Sequence, residues 1–134
     1  MVVIGGGLVG AETAEHIAVH NRKTSIVEMR PEIAADMEPA SKEFLMKSLK
    51  AIEVTAYVNS KVLEITNTSV IIETENGAQS LPASLVVLAI GSRSNNSLTS
   101  ELGSKYSIKV LGDASVVGKA LEGINPAYKT ALEI

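Results

Sequence analysis

Val2-Val3-Ile4-Gly5-Gly6-Gly7-Leu8-Val9-Gly10 sets a continuous apolar run directly against a glycine turn. The apolar run reads as a strand buried on both faces of a parallel sheet. Behind the turn, Ala11, Ala14, Ile17 and Ala18 recur at helical spacing and predict a helix from Ala11 to His20. A second apolar strand, Ser25-Ile26-Val27, ends in Glu28, which stands 18 residues after Gly10. An acid about 20 residues beyond a G-x-G-x-x-G turn is placed to meet an adenosine ribose. Together these features predict a dinucleotide site, with a pyrophosphate on the first amides of the helix.

Each residue type has a physical reason to be there. Gly5 permits the turn, Gly7 lets the backbone approach the phosphates, and Gly10 lets the helix pack closely on the strand. The helix dipole adds about 0.3–2 kcal/mol for a phosphate at its positive end. Glu28 would accept from both ribose hydroxyls and would repel a 2′-phosphate, which favours NADH over NADPH. Arg30, two residues on, is the opposing feature, because an arginine there could pair with a 2′-phosphate. Glu12 and Glu15 sit early in the helix, where carboxylates suit the dipole without any ligand. His16 and His20 lie four apart on the same helix, but no further metal ligand stands near them in sequence, and a surface role is expected.

Composition narrows the class. The 134 residues suffice for one domain with a real core, and 46% are hydrophobic while only 3% are aromatic. Such a core is built from Val, Ile, Leu and Ala, which suits a parallel sheet flanked by helices. The net charge of −3, without a basic run and with few aromatics, argues against a nucleic-acid surface. There is no cysteine, hence no disulfide and no thiolate metal site in this sequence. No apolar run reaches the roughly 18 residues that span a membrane, and Met1 leads straight into the first strand. A cytoplasmic setting, with neither leader nor membrane partner, is expected.

Further along, a loop from Met29 to Glu38 precedes a helix that starts at Pro39 and runs to about Ala51. Phe44, Leu45, Leu49 and Ile52 are expected on its inner side. Val54–Val58 reads as a third strand, followed by three short alternating strands at 61–66, 69–75 and 79–81. Asn67-Thr68 could close one hairpin, and Asn76-Gly77 predicts a type I′ turn for the next. Leu85–Ile90 reads as another buried strand, ending at Gly91 and a polar loop, 92–99. A last strand is expected over 107–111, then Gly112-Asp113. The tail from Val116 to Ile134 is helical in pattern but interrupted at Gly123 and at Asn125-Pro126. The fold class is therefore α/β: a Rossmann-like domain with a central parallel sheet, flanking helices and a three-stranded antiparallel meander.

The run Val2 to Ala14, with Ile26-Val27-Glu28-Met29, Pro31-Glu32-Ile33-Ala34, Asn59-Ser60-Lys61-Val62-Leu63-Glu64-Ile65, Val86-Val87-Leu88-Ala89-Ile90-Gly91-Ser92-Arg93 and Gly112-Asp113, resembles one family group. It is similar to the C-terminal part of NADH:flavin oxidoreductases of the 2-enoate reductase, 2,4-dienoyl-CoA reductase and trimethylamine dehydrogenase group. The resemblance spans essentially the whole chain. It implies an NAD(P)H-binding domain over 1–111 and a tail, 112–134, belonging to an FAD-binding domain. It also implies that FAD, FMN, an iron–sulfur cluster and a catalytic barrel lie on other domains of the same polypeptide.

The resemblance carries roles to single residues. Gly5, Gly6, Gly7, Leu8, Val9 and Gly10 would hold the NADH pyrophosphate, and Glu28, Met29 and Arg30 the adenosine ribose. Val62 would lie near the adenine. Glu12, Ala89, Ile90 and Gly91 would lie towards the nicotinamide and flavin, and Asp113 would bind the FAD ribityl chain. Asn125-Pro126 and Gly118-Lys119 depart from the family's pattern after Gly-Asp. The implied reaction passes hydride from NADH to FAD for reduction of an activated C=C bond. No acid–base residue of this chain takes a catalytic role, and the isolated chain is expected to turn nothing over. The alternative is a non-catalytic ADP-binding module, as some members of the group carry. Binding of FAD at the glycine turn, or a methyltransferase, are more distant readings.

Overall fold

The computed structural model describes residues 1–133, and Ile134, the last position of the expected helical tail, lies outside them. In chain order the elements are β1 (Val2–Ile4), α1 (Leu8–Val19), β2 (Ser25–Val27), α2 (Pro39–Ala51), β3 (Thr55–Tyr57), β4 (Lys61–Ile65), β5 (Ser69–Thr74), β6 (Gly77–Pro82), β7 (Val86–Leu88), α3 (Ser97–Leu102) and α4 (Ala120–Ala131). The backbone divides into two compact units, Met1–Ile90 and Gly91–Ile134. Residues 91–111, expected with the nucleotide domain, fall in the second unit.

In the first unit the glycine-bearing strand takes a central place. The parallel sheet runs in the order β3-β2-β1-β7, and β4-β5-β6 form a separate antiparallel sheet. The register sets Ile4 beside both Val27 and Leu88, so the chain leaves β1 at the edge where β2 and β7 also end. Side chains alternate across a strand, and the two cores follow that alternation. Val3 and Ile26 face one way and pack with Ala11, Ala14, Ile33, Leu45 and Leu49 from the helical side. Val2 and Val27 face the other way and pack with Val70, Ile72, Leu81 and Ala83 of the meander side. The expected Rossmann-like sheet, helices and meander are all present.

Several local expectations are corrected. α1 begins at Leu8, three residues earlier than the apolar spacing indicated, because Gly7 already serves as its N-cap. On α2, Leu45 and Leu49 are buried but Phe44 is 76% exposed. A truncation there reads the difference directly. Leu49→Ala should cost about 2–5 kcal/mol through a cavity, whereas Phe44→Ala should stay within about 0.5 kcal/mol; chemical denaturation of the two variants checks this. The α2 N-cap is Glu38, whose carboxylate accepts from Ser41 N–H at 3.0 Å. That backbone hydrogen bond holds the Glu38 carboxyl below the usual range. The stability it adds is present above the ordinary glutamate value and fades as pH falls through the lowered one.

The second hairpin is not of type I′. Thr74 pairs with Gly77, and positive φ is confined to Gly77 (φ 102), with Asn76 outside the left-handed region. The glycine thus takes the positive φ at the end of the turn, where the ladder resumes in unbroken register. β7 is shorter than the apolar run that contains it and lies at the sheet's edge, leaving Leu88 60% exposed. A strand buried on both faces is therefore not what this segment forms within the first unit.

In the second unit, residues 107–111 form no strand, because no neighbouring strand among the described residues offers them a ladder. The loop 92–99 is shorter than expected, since α3 starts at Ser97. α4 runs through both Gly123 and Pro126 rather than breaking at them. Leu121, Ile124 and Tyr128 on it, and Leu132 at its C-cap, are exposed.

Candidate nucleotide site

The glycine turn is held on every side by groups of the first unit. Gly5 has φ 101, and its N–H donates to Val27 C=O at 2.9 Å. A Cβ on Gly5 would run into the backbone carbonyl of Ala89, and one on Gly10 would run into the carbonyl of Gly5. Gly10 therefore lets α1 rest on the turn itself, as its place in the pattern predicts. Ala89, which in turn donates its N–H to Ile4 C=O at 2.7 Å, closes the turn from the β7 side. Its role here is to shape the turn, and its side chain is half-buried against the helical core.

Gly7 differs from its neighbours. The nearest atom to a Cβ on it would be Arg30 Nη2 at 3.9 Å, so its face is open. α1 has no side-chain cap at this end, and its first intrahelical bond is Ala11 N–H to Gly7 C=O at 2.9 Å. The amides of Leu8 and Val9 precede that bond and have no intrahelical acceptor. Both residues are exposed, at 43% and 69%. An open glycine at the positive end of a helix with free amides is a cradle that suits an anionic phosphate.

Glu28 is buried, and its carboxylate points into the turn. Oε2 accepts from Gly6 N–H at 2.6 Å, and Oε1 accepts from Arg30 N–H at 2.7 Å. An ionised carboxylate has about four acceptor positions, so two remain for ribose hydroxyls after these bonds. Glu28 thus ties the glycine turn to the start of the next loop and keeps acceptor positions open beside Gly7. Arg30 stands over the same corner, with Nε 3.7 Å from Glu28 Oε1 and Nη1 3.1 Å from Asp36 Oδ2. Met29, 68% exposed, lies between them in sequence.

Three contacts around the turn are not given by residue type alone. Gly6, the free position of G-x-G-x-x-G, is as confined as its neighbours, for a Cβ on it would lie 2.5 Å from Ile33 Cδ1 and 2.9 Å from Glu28 Cβ. Ala34 donates its N–H to Gly6 C=O at 2.7 Å from a left-handed conformation (φ 50). Ser60 is buried and donates its N–H to Glu28 C=O at 2.9 Å, fixing the acid's backbone. The visible signal was Ile33-Ala34-Ala35, an apolar run inside the loop 29–38.

The remaining expected residues lie elsewhere. Val62 is half-buried and packs on the meander-side core with Ile4 and Tyr57. Glu12 is exposed on α1. Ile90 is 72% exposed at the end of the first unit. Gly91 (φ 94) and Asp113 belong to the second unit, where Asp113 Oδ1 accepts from Gly118 N–H at 3.2 Å. The His16 and His20 rings lie 4.9 Å apart and tilted by 58°, His20 Nδ1 lies 2.8 Å from His16 C=O, and no group of three metal-binding side chains occurs among the described residues. No described helix is long and apolar enough to cross a membrane.

A family description for pyridine nucleotide-disulphide oxidoreductases matches residues 1–114, a span that begins before the glycine turn and ends after Gly112-Asp113. The chain belongs to this family. Within it, the resemblance to the NADH:flavin oxidoreductases of the enoate reductase group agrees with particular relatives. The chain is 39% identical over 137 residues to an NADH oxidase of Thermoanaerobacter brockii, covering 100% of this chain and 21% of that protein. It is 45% identical over 95 residues to a bilirubin reductase of Mediterraneibacter gnavus (strain CC55_001C), covering 71% of this chain and 15% of the relative. A solved structure of 2-naphthoyl-CoA reductase with 2-naphthoyl-CoA superposes with a TM-score of 0.85 at 26% identity, over 99% of this chain and 21% of that one. The chain spans about a fifth or less of the length of these relatives.

Proposed function

We infer that the first unit binds the ADP half of NADH and serves as the pyridine-nucleotide domain of a larger flavoprotein oxidoreductase. The observation that carries this reading is the open Gly7 face at the uncapped end of α1, with the Glu28 carboxylate beside it. The pyrophosphate would rest on the amides of Leu8 and Val9, and the adenosine ribose on Glu28. The negative ribose corner favours NADH over NADPH, in keeping with the NADH oxidase relative. When bound, the dihydronicotinamide supplies a hydride for FAD.

What this chain's residues do is bind and orient; none of them moves a proton in this reading. FAD, FMN, an iron–sulfur cluster and a barrel that reduces an activated C=C bond would be supplied by other domains of the same polypeptide, as the 2-enoate reductase resemblance implies. A cytoplasmic location accompanies that reading.

Titration of the chain with NADH and with ADP tests it, with tryptophan-free background favouring nicotinamide fluorescence as the readout for NADH and calorimetry for both. Saturable binding of NADH, tighter than ADP, supports an electron-entry domain. Equal affinity for the two assigns a non-catalytic ADP module instead, and binding of neither refutes the site. The isolated chain should show no C=C reduction with NADH.

A further inference from the structure

The ribose corner holds more charge than two hydroxyls need. Arg30 Nη2 comes within 3.9 Å of the position a Cβ would take on Gly7, and its Nε is 3.7 Å from Glu28 Oε1. Its Nη1 donates to Asp36 Oδ2 at 3.1 Å. Glu32, the other carboxylate near Arg30, is engaged by Lys42 Nζ at 2.6 Å and is balanced there. One guanidinium thus faces two carboxylates, Glu28 and Asp36, and the corner carries a net charge of −1.

The segment between Arg30 and Asp36 is fixed to the phosphate loop. Ala34 N–H donates to Gly6 C=O at 2.7 Å, and Met37 N–H donates to Ala34 C=O at 3.1 Å. Asp36 is therefore carried on a strap whose middle is tied to the glycine turn, although its own side chain is 76% exposed. The hydrogen bond and charge of Asp36 also hold Arg30 more firmly protonated.

We propose that Asp36 is a specificity-determining positioning residue: it occupies Arg30 and offsets its charge, so that the ribose corner rejects a 2′-phosphorylated adenosine. This rests on the nucleotide site argued above. A free arginine offers a planar fork that matches a phosphate. With Nη1 engaged and the corner at −1, a dianionic 2′-phosphate meets repulsion and finds half a fork. Asparagine at the same place keeps the volume and an acceptor oxygen but brings the corner to zero. An exposed ion pair contributes little to stability, so selectivity should change while the fold does not.

The test titrates NADH and NADPH separately into the full chain and into Asp36→Asn, Asp36→Glu and Asp36→Asn/Arg30→Ala. Asp36→Asn should bind NADPH about tenfold more tightly, the scale of one charge-assisted contact. NADH affinity should stay within about twofold and Tm should not move. Asp36→Glu should restore the original ratio, and Arg30→Ala in the asparagine background should abolish the gain. An unchanged NADH-to-NADPH ratio in Asp36→Asn, or a gain that survives loss of Arg30, overturns the proposal while leaving the nucleotide site standing. An original chain that binds neither dinucleotide overturns both, and one that prefers NADPH overturns the proposal and the preference for NADH while leaving a nucleotide site standing.

Discussion

Gly10→Ala is expected to lower the thermal midpoint by roughly 10–20 °C and to abolish nucleotide binding. The added Cβ would occupy the place of the Gly5 carbonyl, which is backbone and cannot rotate away, and would also lie 3.2 Å from Ala89 Cβ. α1 would have to lift off the turn, separating Ala11 and Ala14 from the core they fill with Val3 and Ile26. Overpacking of this kind costs about 1–3 kcal/mol or more, and each kcal/mol moves the midpoint of a domain of 60–100 residues by roughly 4–8 °C. Gly7→Ala is the matched control. Gly7 has φ −65 and nothing nearer than 3.9 Å to a Cβ, so the fold should keep its midpoint within a few degrees. The methyl group would stand where the phosphates approach, and NADH affinity should fall by about tenfold or more. Thermal melts and NADH titrations of both variants separate the folding role of one glycine from the binding role of the other.

Glu28→Ala is expected to lose stability and binding together. Gly6 N–H and Arg30 N–H would be left without their charged acceptor, and a hydrogen bond to a charged group is worth about 1.5–3 kcal/mol. Water can reach part of the emptied site, so a loss of roughly 2–4 kcal/mol is expected on denaturation. On the proposed seating the ribose would lose its acceptor at the same time, and NADH affinity should fall by about 10–100-fold. Glu28→Gln should be intermediate, because its one oxygen serves one donor while its NH2 group faces the other. If Glu28→Ala weakens NADH without changing stability, the acid is a ribose ligand alone and its grip on the turn is unimportant.

Much of the fold was legible because its signals are local and redundant. The apolar run 2–4, the glycine spacing and the apolar recurrence in 11–18 all demand the same strand–turn–helix unit. Pro39 marked the start of α2 because proline fits the first helical position. The meander was legible from alternation, and its strands differ from expectation only at their ends. What failed depends on partners beyond the local sequence. Residues 107–111 have strand composition, but a strand needs a ladder, and none is offered among the described residues. Phe44 and Leu88 are apolar yet exposed, because apolar type alone does not say which face finds a neighbour. Pro126 and Gly123 signal a break that α4 does not make.

In the candidate site, spacing singled out the acid but not its contact with Gly6, since a hydrogen bond across 22 residues leaves no periodic trace. The same holds for Asp36, whose partner sits six residues away around an irregular loop rather than on a helix face. The confinement of Gly6 was hidden by the pattern itself, which treats that position as free.

The most direct test of a nucleotide seated on the α1 terminus is a backbone amide NMR titration of this chain with NADH. The largest shifts should fall on Gly7, Leu8, Val9 and Gly10, with a second group at Gly6, Glu28 and Arg30 around the ribose acid. Shifts that leave these residues unmoved and cluster elsewhere, or no saturable shift at all, would contradict the site.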